Sequence, residues 1–340
     1  MIIPAHIWDY LRFFVFLSPC KTNIHKAMKL PVPVVAAILT LVPHLASAQF
    51  YLSGDDPASS RWYYIESPHF KVIYPDRLDS MARSYILELE KYRIPVSRSA
   101  GFIPGEAIRG KMPVVLHPFN AASNGSVAWA PKRMDLYTSP PAYEPEPMPW
   151  TTMLGIHESR HVAQMQFGLS NCFRPFRYIL GEMFAGGMAG IYPDKWLLEG
   201  DAVVAETALS GSGRGRTSNF MNYYRIAFDA GDFRDADRWA YGSYWHYTPD
   251  HYAFGYMTLS GIRYLYDVPD FSGRLFTHYS KRPYDSVARN TVSKETTGRK
   301  FRTLVSEAEA LYHSMWTKDA EERKPFLQGR RLTETPDVYT

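Results

Sequence analysis

The alternation of apolar and polar positions gives the first elements. Residues 60 to 75 carry Trp62, Tyr63, Tyr64 and Ile65, then Phe70-Lys71-Val72-Ile73-Tyr74, an aromatic and β-branched pattern that predicts one or two strands closed by Pro75-Asp76. Met81, Tyr85, Ile86, Leu89 and Tyr92 recur every three or four residues, so an amphipathic helix is expected over 78–94, ending before Pro95. Met112 to His117 reads as a buried strand, Ser126 to Tyr137 as another after the Asn124-Gly125 turn, and the proline-rich 139–149 as a loop. Beyond Trp150 the period becomes helical, over 152–167, 196–210, 217–230, 251–267, 270–280 and 303–317. The expected class is α+β: a small N-terminal mixed β-sheet with a helix, followed by a mainly helical half. This divides the chain into an α/β subdomain over 49–150 and a helical subdomain over 151–325. The tail, 326–340, carries no helix-ending signal and reads as the start of a further region.

The first residues follow another logic. Met28-Lys29 precedes an apolar run from Leu30 to Leu45 and then Ala46-Ser47-Ala48, the order of a secretory signal peptide cut after Ala48. Pro31, Pro33 and Pro43 interrupt the run, which is shorter than the roughly 20 apolar residues of a spanning helix, so no stable membrane span is expected. Before Met28, Asp9 and Arg12 sit inside an apolar stretch that suits neither a signal peptide nor a span, and Met28 is the expected start. The protein should be exported, to the periplasm or the medium.

Composition narrows the function. Hydrophobic residues make up 46% and aromatic residues 15%, enough for a substantial core, which excludes dominant disorder. The net charge is +4, with no basic stretch longer than Arg330-Arg331, so no nucleic-acid partner is expected. No P-loop, no G-x-G-x-x-G after a strand and no G-x-S-x-G occurs, which leaves nucleotide binding and serine-hydrolase chemistry without support. Cys20 and Cys172 cannot make a disulfide framework.

One constellation carries chemistry. His157-Glu158-Ser159-Arg160-His161 is an H-E-x-x-H on a predicted helix, and a spacing of four puts both imidazoles on one face, about 6 Å apart at Cβ, where they can share a metal ion. Glu158 lies beside them as a general base. Arg160 must face solvent or pair with a carboxylate, because the helix is otherwise apolar. Catalytic zinc sites take three protein ligands, and Trp196-Leu197-Leu198-Glu199-Gly200-Asp201-Ala202 offers Glu199 in the first turn of another helix.

Together, HESRH and WLLEGDA resemble the gluzincin metallopeptidases, the aminopeptidase-N-like and thermolysin-like clan. The similarity is greatest to secreted bacterial peptidase MA-like proteins, some of which carry this domain ahead of a C-terminal β-propeller. It covers roughly residues 60–320, with only these motifs diagnostic. It implies one Zn²⁺ per chain on His157, His161 and Glu199, a peptide or protein substrate, and Glu158 as the base. Glu206, two turns after Glu199, would orient a ligand histidine, with Asp201 as the rival. Pro249 to Tyr256 is similar to the start of a late helix in aminopeptidase-like members, which makes Tyr252 the oxyanion donor, with His251 and Tyr256 as alternatives. Substrate backbone would run along an exposed strand edge at Asn124 to Ala130, touching Asn124, Gly125 and Ala128. The interval between His161 and Glu199 is longer than in the best-known members. Its insertion, Cys172 to Asp194, holds Gly181, Gly186, Gly187 and Gly190, which suggest a flexible or a tightly packed excursion. The competing reading is a noncatalytic scaffold module of the cell envelope, and the intact His157, Glu158, His161 and Glu199 argue against it.

Overall fold

The computed structural model describes residues 56–105, 110–142, 148–325 and 330. The expected signal peptide, the start at Met28 and nearly all of the 326–340 tail lie outside the described residues. The fold is α+β, a small mixed sheet followed by a mostly helical region.

Strands β1 (Trp62–Glu66), β2 (Phe70–Pro75), β3 (Met112–His117), β4 (Gly125–Ala128) and β5 (Arg133–Tyr137) form one sheet in the order β1-β2-β3-β5-β4. β2, β3 and β5 run parallel, while β1 and β4 are antiparallel to their neighbours and form the two edges. Along β2 and β3 every second residue is fully buried, Phe70, Val72 and Tyr74 beside Met112, Val114 and Leu116, the period of a sheet covered on one face. Helix α1 (Asp79–Ser97) covers that face with Ala82, Tyr85 and Leu89.

Two expectations need correction here. Ser126 to Tyr137 is not one strand but the hairpin β4–β5, in which Val127 pairs with Met134 across a turn where Ala130 takes a positive φ of 102°. Helix α1 does not stop before Pro95. A proline in the last turn forfeits one backbone hydrogen bond, and burial of Val96 keeps the turn helical.

After Pro149 the chain enters helix α2 (Trp150–Met165). Its Leu154 and Val162 pack into the sheet's core, while its continuation at Phe167 belongs to the helical core. The boundary at 150 therefore divides topology and not packing. The insertion is helical and packed: 3₁₀ turns lead to α3 (Arg177–Leu180) and α4 (Glu182–Ile191), with Phe173 and Phe184 in aromatic contact at 5.6 Å. Helix α5 (Lys195–Leu209) follows, then α6 (Asn222–Asp229), α7 (Ala236–Tyr241), α8 (His251–Tyr266), α9 (Phe271–Lys281), α10 (Ala288–Thr297) and α11 (Phe301–Glu322). Helices α3, α4, α7 and α10 were not expected from periodicity. Among the described residues no helix is long and apolar enough to cross a membrane.

Helices α5 and α8 cross with their backbones in contact. A Cβ on Gly200 would collide with the Gly255 main chain, and one on Gly255 with the Trp196 carbonyl oxygen. Only glycine permits this approach.

Candidate metal centre

Helix α2 buries an unusual load of polarity for its length: His157, Glu158, Arg160 and Gln164 are all nearly inaccessible. Such groups are costly inside a protein unless paired. Arg160 lies in the interior with Nε 2.6 Å from Asp201 Oδ2 and Nη2 2.7 Å from Oδ1, a two-pronged bond to α5. Its Nη1 donates to the carbonyl of Val96, one of the carbonyls at the end of α1 that the helix leaves free. The pairing with a carboxylate holds, and the solvent-facing alternative falls away. Ser272 of α9 donates to the same Asp201 at 2.6 Å.

This arrangement presents the HESRH face of α2 to the first turns of α5. His157 Nε2 and His161 Nε2 lie 3.1 Å apart, and Glu199 Oε2 stands 3.3 Å from the first and 3.2 Å from the second. Among the described residues these three form the one cluster of His, Cys, Asp or Glu whose donor atoms could hold a metal ion.

The residues behind the donors fix their orientation. Gln164 Oε1 accepts from His161 Nδ1 at 2.8 Å, leaving the Nε2 lone pair directed at the cluster. Gln164 is itself fixed, because its Nε2 donates to Leu198 O at 3.0 Å and to Asp201 Oδ2 at 2.8 Å. On the other imidazole, Glu206 Oε2 lies 3.5 Å from His157 Nδ1, and Arg214 Nη2 approaches the same nitrogen at 2.9 Å while its Nε donates to Glu206 Oε1 at 2.7 Å. The two rivals thus serve different histidines: Glu206 stands directly behind His157, and Asp201 reaches His161 only through Gln164. Neither Gln164 nor Arg214 was singled out in the sequence. The i,i+3 spacing from His161 could have pointed to Gln164, whereas Arg214 comes from a 3₁₀ turn, Arg214–Arg216, that no local pattern links to the motif.

The electrostatics favour positive charge between the donors. Burial alone would raise the Glu199 carboxyl, but His161 and His157 hold it far below the usual carboxylate range. Burial alone would lower His161, yet Glu199 and Glu158 lift it to about 9. His157 is raised as well, with the bonds to Glu199 and Glu206 outweighing desolvation. Burial pushes Glu158 upward, and its Oε2 has no hydrogen-bond partner.

These groups open into a cleft of about 510 Å³. Its lining comes from the edge strand β4 and the residues before it, Ser123 to Val127, from α2 and α5, and from the stretch Ala189, Gly190 and Pro193. Of the proposed backbone-binding residues, Asn124 and Gly125 line the cleft. Ala128 is not among its walls and sits at the far end of β4, opposite Arg133. Gly125 faces the base so closely that a Cβ there would lie 2.5 Å from Glu158 Oε1. Tyr252 also lines the cleft, its ring stacked on His157 at 6.2 Å and its hydroxyl raised by burial and by the neighbouring Glu199 carboxylate. Asp250 caps α8 by accepting from Tyr252 N at 3.0 Å, which fixes where the tyrosine enters. His251 does not line the cleft, and Tyr256 turns its hydroxyl to Gly215 O at 3.4 Å. Of the three candidates for an oxyanion donor, Tyr252 is the one in the cleft.

No model of a known protein family matches the sequence, and neither does any curated protein.

Proposed function

We propose that this protein is an exported zinc-dependent hydrolase of the gluzincin type, a peptidase. The observation that carries the reading is the triangle of His157 Nε2, His161 Nε2 and Glu199 Oε2, with sides of 3.1, 3.3 and 3.2 Å. Ligand atoms bound tetrahedrally at about 2.0–2.1 Å are separated by about 3.3–3.4 Å, and the three donors stand within about 0.3 Å of that spacing, which supports a metal of zinc's size. Two imidazole nitrogens and one carboxylate oxygen also suit zinc, and leave a fourth position free. Zinc held by these three donors would polarise a carbonyl and make water in the fourth position nucleophilic near neutral pH.

The chain's own residues supply the remainder. Glu158, buried beside the two histidines with one oxygen unpartnered, takes the proton from the attacking water and passes it to the leaving amine. Tyr252 donates from its hydroxyl to the oxygen that gains charge as the carbonyl is attacked. β4, an edge strand, offers unpaired backbone groups to an extended peptide beside Glu158, recognition that tolerates many side chains. Metal analysis of the purified chain tests this, combined with cleavage of a mixed peptide library before and after chelation and after zinc is restored. About one zinc per chain with chelator-sensitive cleavage is expected. Zinc-free protein, or turnover indifferent to the chelator, overturns the proposal.

A further inference from the structure

Between α7 and α8 the chain reads Tyr241-Gly242-Ser243-Tyr244-Trp245-His246-Tyr247, and its aromatic rings are left in solvent. Trp245 is 90% exposed and Tyr244 fully so, with Tyr241 and Tyr247 both exposed as well. Clustered exposed aromatics mark a contact surface. Both ends of the turn are anchored at the cleft. Tyr241 donates to Asp194 Oδ1 at 3.1 Å, and Asp194, also held by Arg289 at 2.9 Å, sits between the cleft residues Pro193 and Lys195. At the other end the chain passes through Asp250 into α8 and reaches Tyr252 in the cleft. Tyr247 is pinned by Tyr223, whose hydroxyl donates to its carbonyl at 3.3 Å and whose ring lies 5.0 Å away. Tyr244 and Trp245 project between these supports.

Lys195 adds charge to the same rim. It stands one turn before Glu199 on α5, lines the cleft, and joins no ion pair among the described residues.

We propose that Tyr241, Tyr244, Trp245 and Tyr247, with Lys195, form an outer docking rim that holds a polypeptide where it leaves the cleft, selecting long unfolded segments with an acidic side chain over short peptides. This rests on the peptidase reading of the cleft. Tyrosine and tryptophan with glycine and serine give large, rigid contact area at little entropic cost, the chemistry of surfaces that bind protein chains. The turn carries no lysine, arginine or aliphatic side chain, which a membrane-surface segment would need.

The test pairs kinetics with binding. In Tyr244→Ser/Trp245→Ser the ratio of kcat/KM for a 20-residue peptide to that for a 5-residue peptide should fall by about tenfold or more, through KM and with little change in kcat. In Lys195→Glu the preference for a glutamate-bearing 20-mer over its lysine-bearing counterpart should reverse. An unchanged ratio overturns the proposal. Binding is read independently of turnover, by fluorescence anisotropy of a labelled, reduced and carboxymethylated polypeptide. The double variant should bind about tenfold or more weakly than the native chain. Equal binding by both, no binding by either, or retention on insoluble cell-wall glycan in place of the polypeptide each overturns the rim. Loss of all turnover with rim-dependent binding intact points to failure of the peptidase reading alone.

Discussion

Arg160 and Asp201 meet edge to edge inside the protein, one on each of the two helices that carry the candidate metal donors. Each exposes no more than 2% of its surface. The bond fixes the register of α2 against α5, and that register decides whether Glu199 reaches the histidines. Arg160→Ala leaves Asp201 charged and buried, and should lower the unfolding free energy by about 3–5 kcal/mol in urea titration. A loss below about 1 kcal/mol would show that the helices are held in register by other contacts.

Glu158→Gln keeps the shape of the side chain and every metal donor but removes the base. Zinc content should match the native protein while kcat drops by about 10²–10⁴-fold. Native turnover in this variant, with zinc bound, would remove Glu158 from the mechanism.

Glu199→Ala should abolish stoichiometric zinc in the dialysed protein. Glu206→Ala should weaken zinc affinity or activity by only about 10–100-fold, because it acts through His157, whereas Asp201→Ala also leaves Arg160 buried and unpaired and should destabilise the fold as Arg160→Ala does. Competition with a chromogenic chelator gives the order, and a larger loss at Glu206 than at Glu199 would reassign the third donor.

Tyr252→Phe should reduce kcat by about 10²-fold with a smaller effect on KM, as expected on losing one oxyanion donor. Steady-state kinetics on one peptide suffice, and an unchanged kcat would leave Tyr252 as a wall of the cleft only.

Stability should depend on pH through His117, which is outside the metal cluster. Desolvation lowers this imidazole, but bonds to Asp135 at 3.2 Å and Asp56 at 2.6 Å prevail and raise it above 6.5. Arg133 shares Asp135 at 2.8 Å. A raised folded value means the contribution is complete below about pH 6.5 and disappears as pH rises through the folded value. His117→Asn should therefore cost more stability at pH 5.5 than at pH 9, measured by denaturant unfolding at both.

The parts of this site readable in the sequence are those carried by short local motifs. His157, Glu158 and His161 are bound by a spacing of four, and Glu199 stood out because Trp196, Leu197 and Gly200 frame it. The partner of Arg160 was not readable, because Asp201 is 41 positions away and only the packing of α2 on α5 joins them. The same holds for Arg214, placed on His157 by a turn after α5, and for the wall made by the insertion. The break in Ser126 to Tyr137 was marked in the sequence by Pro131, where the apolar positions also shift from Val127 and Trp129 to Met134 and Leu136, and the hairpin turn sits there.

The backbone contact of Gly200 with Gly255 makes one side of the cleft inelastic. Where Gly200 meets Gly255 the spacing of α5 and α8, and with it the span from Glu199 to Tyr252, is set by main-chain atoms and leaves no room for even a methyl group. Adaptation to a new substrate, natural or engineered, must then come from the other elements of the cleft: from β4, from the stretch around Ala189 to Pro193, and from the aromatic turn. The molecule thereby separates a fixed anvil, where bonds are broken, from a replaceable die that decides what is laid on it.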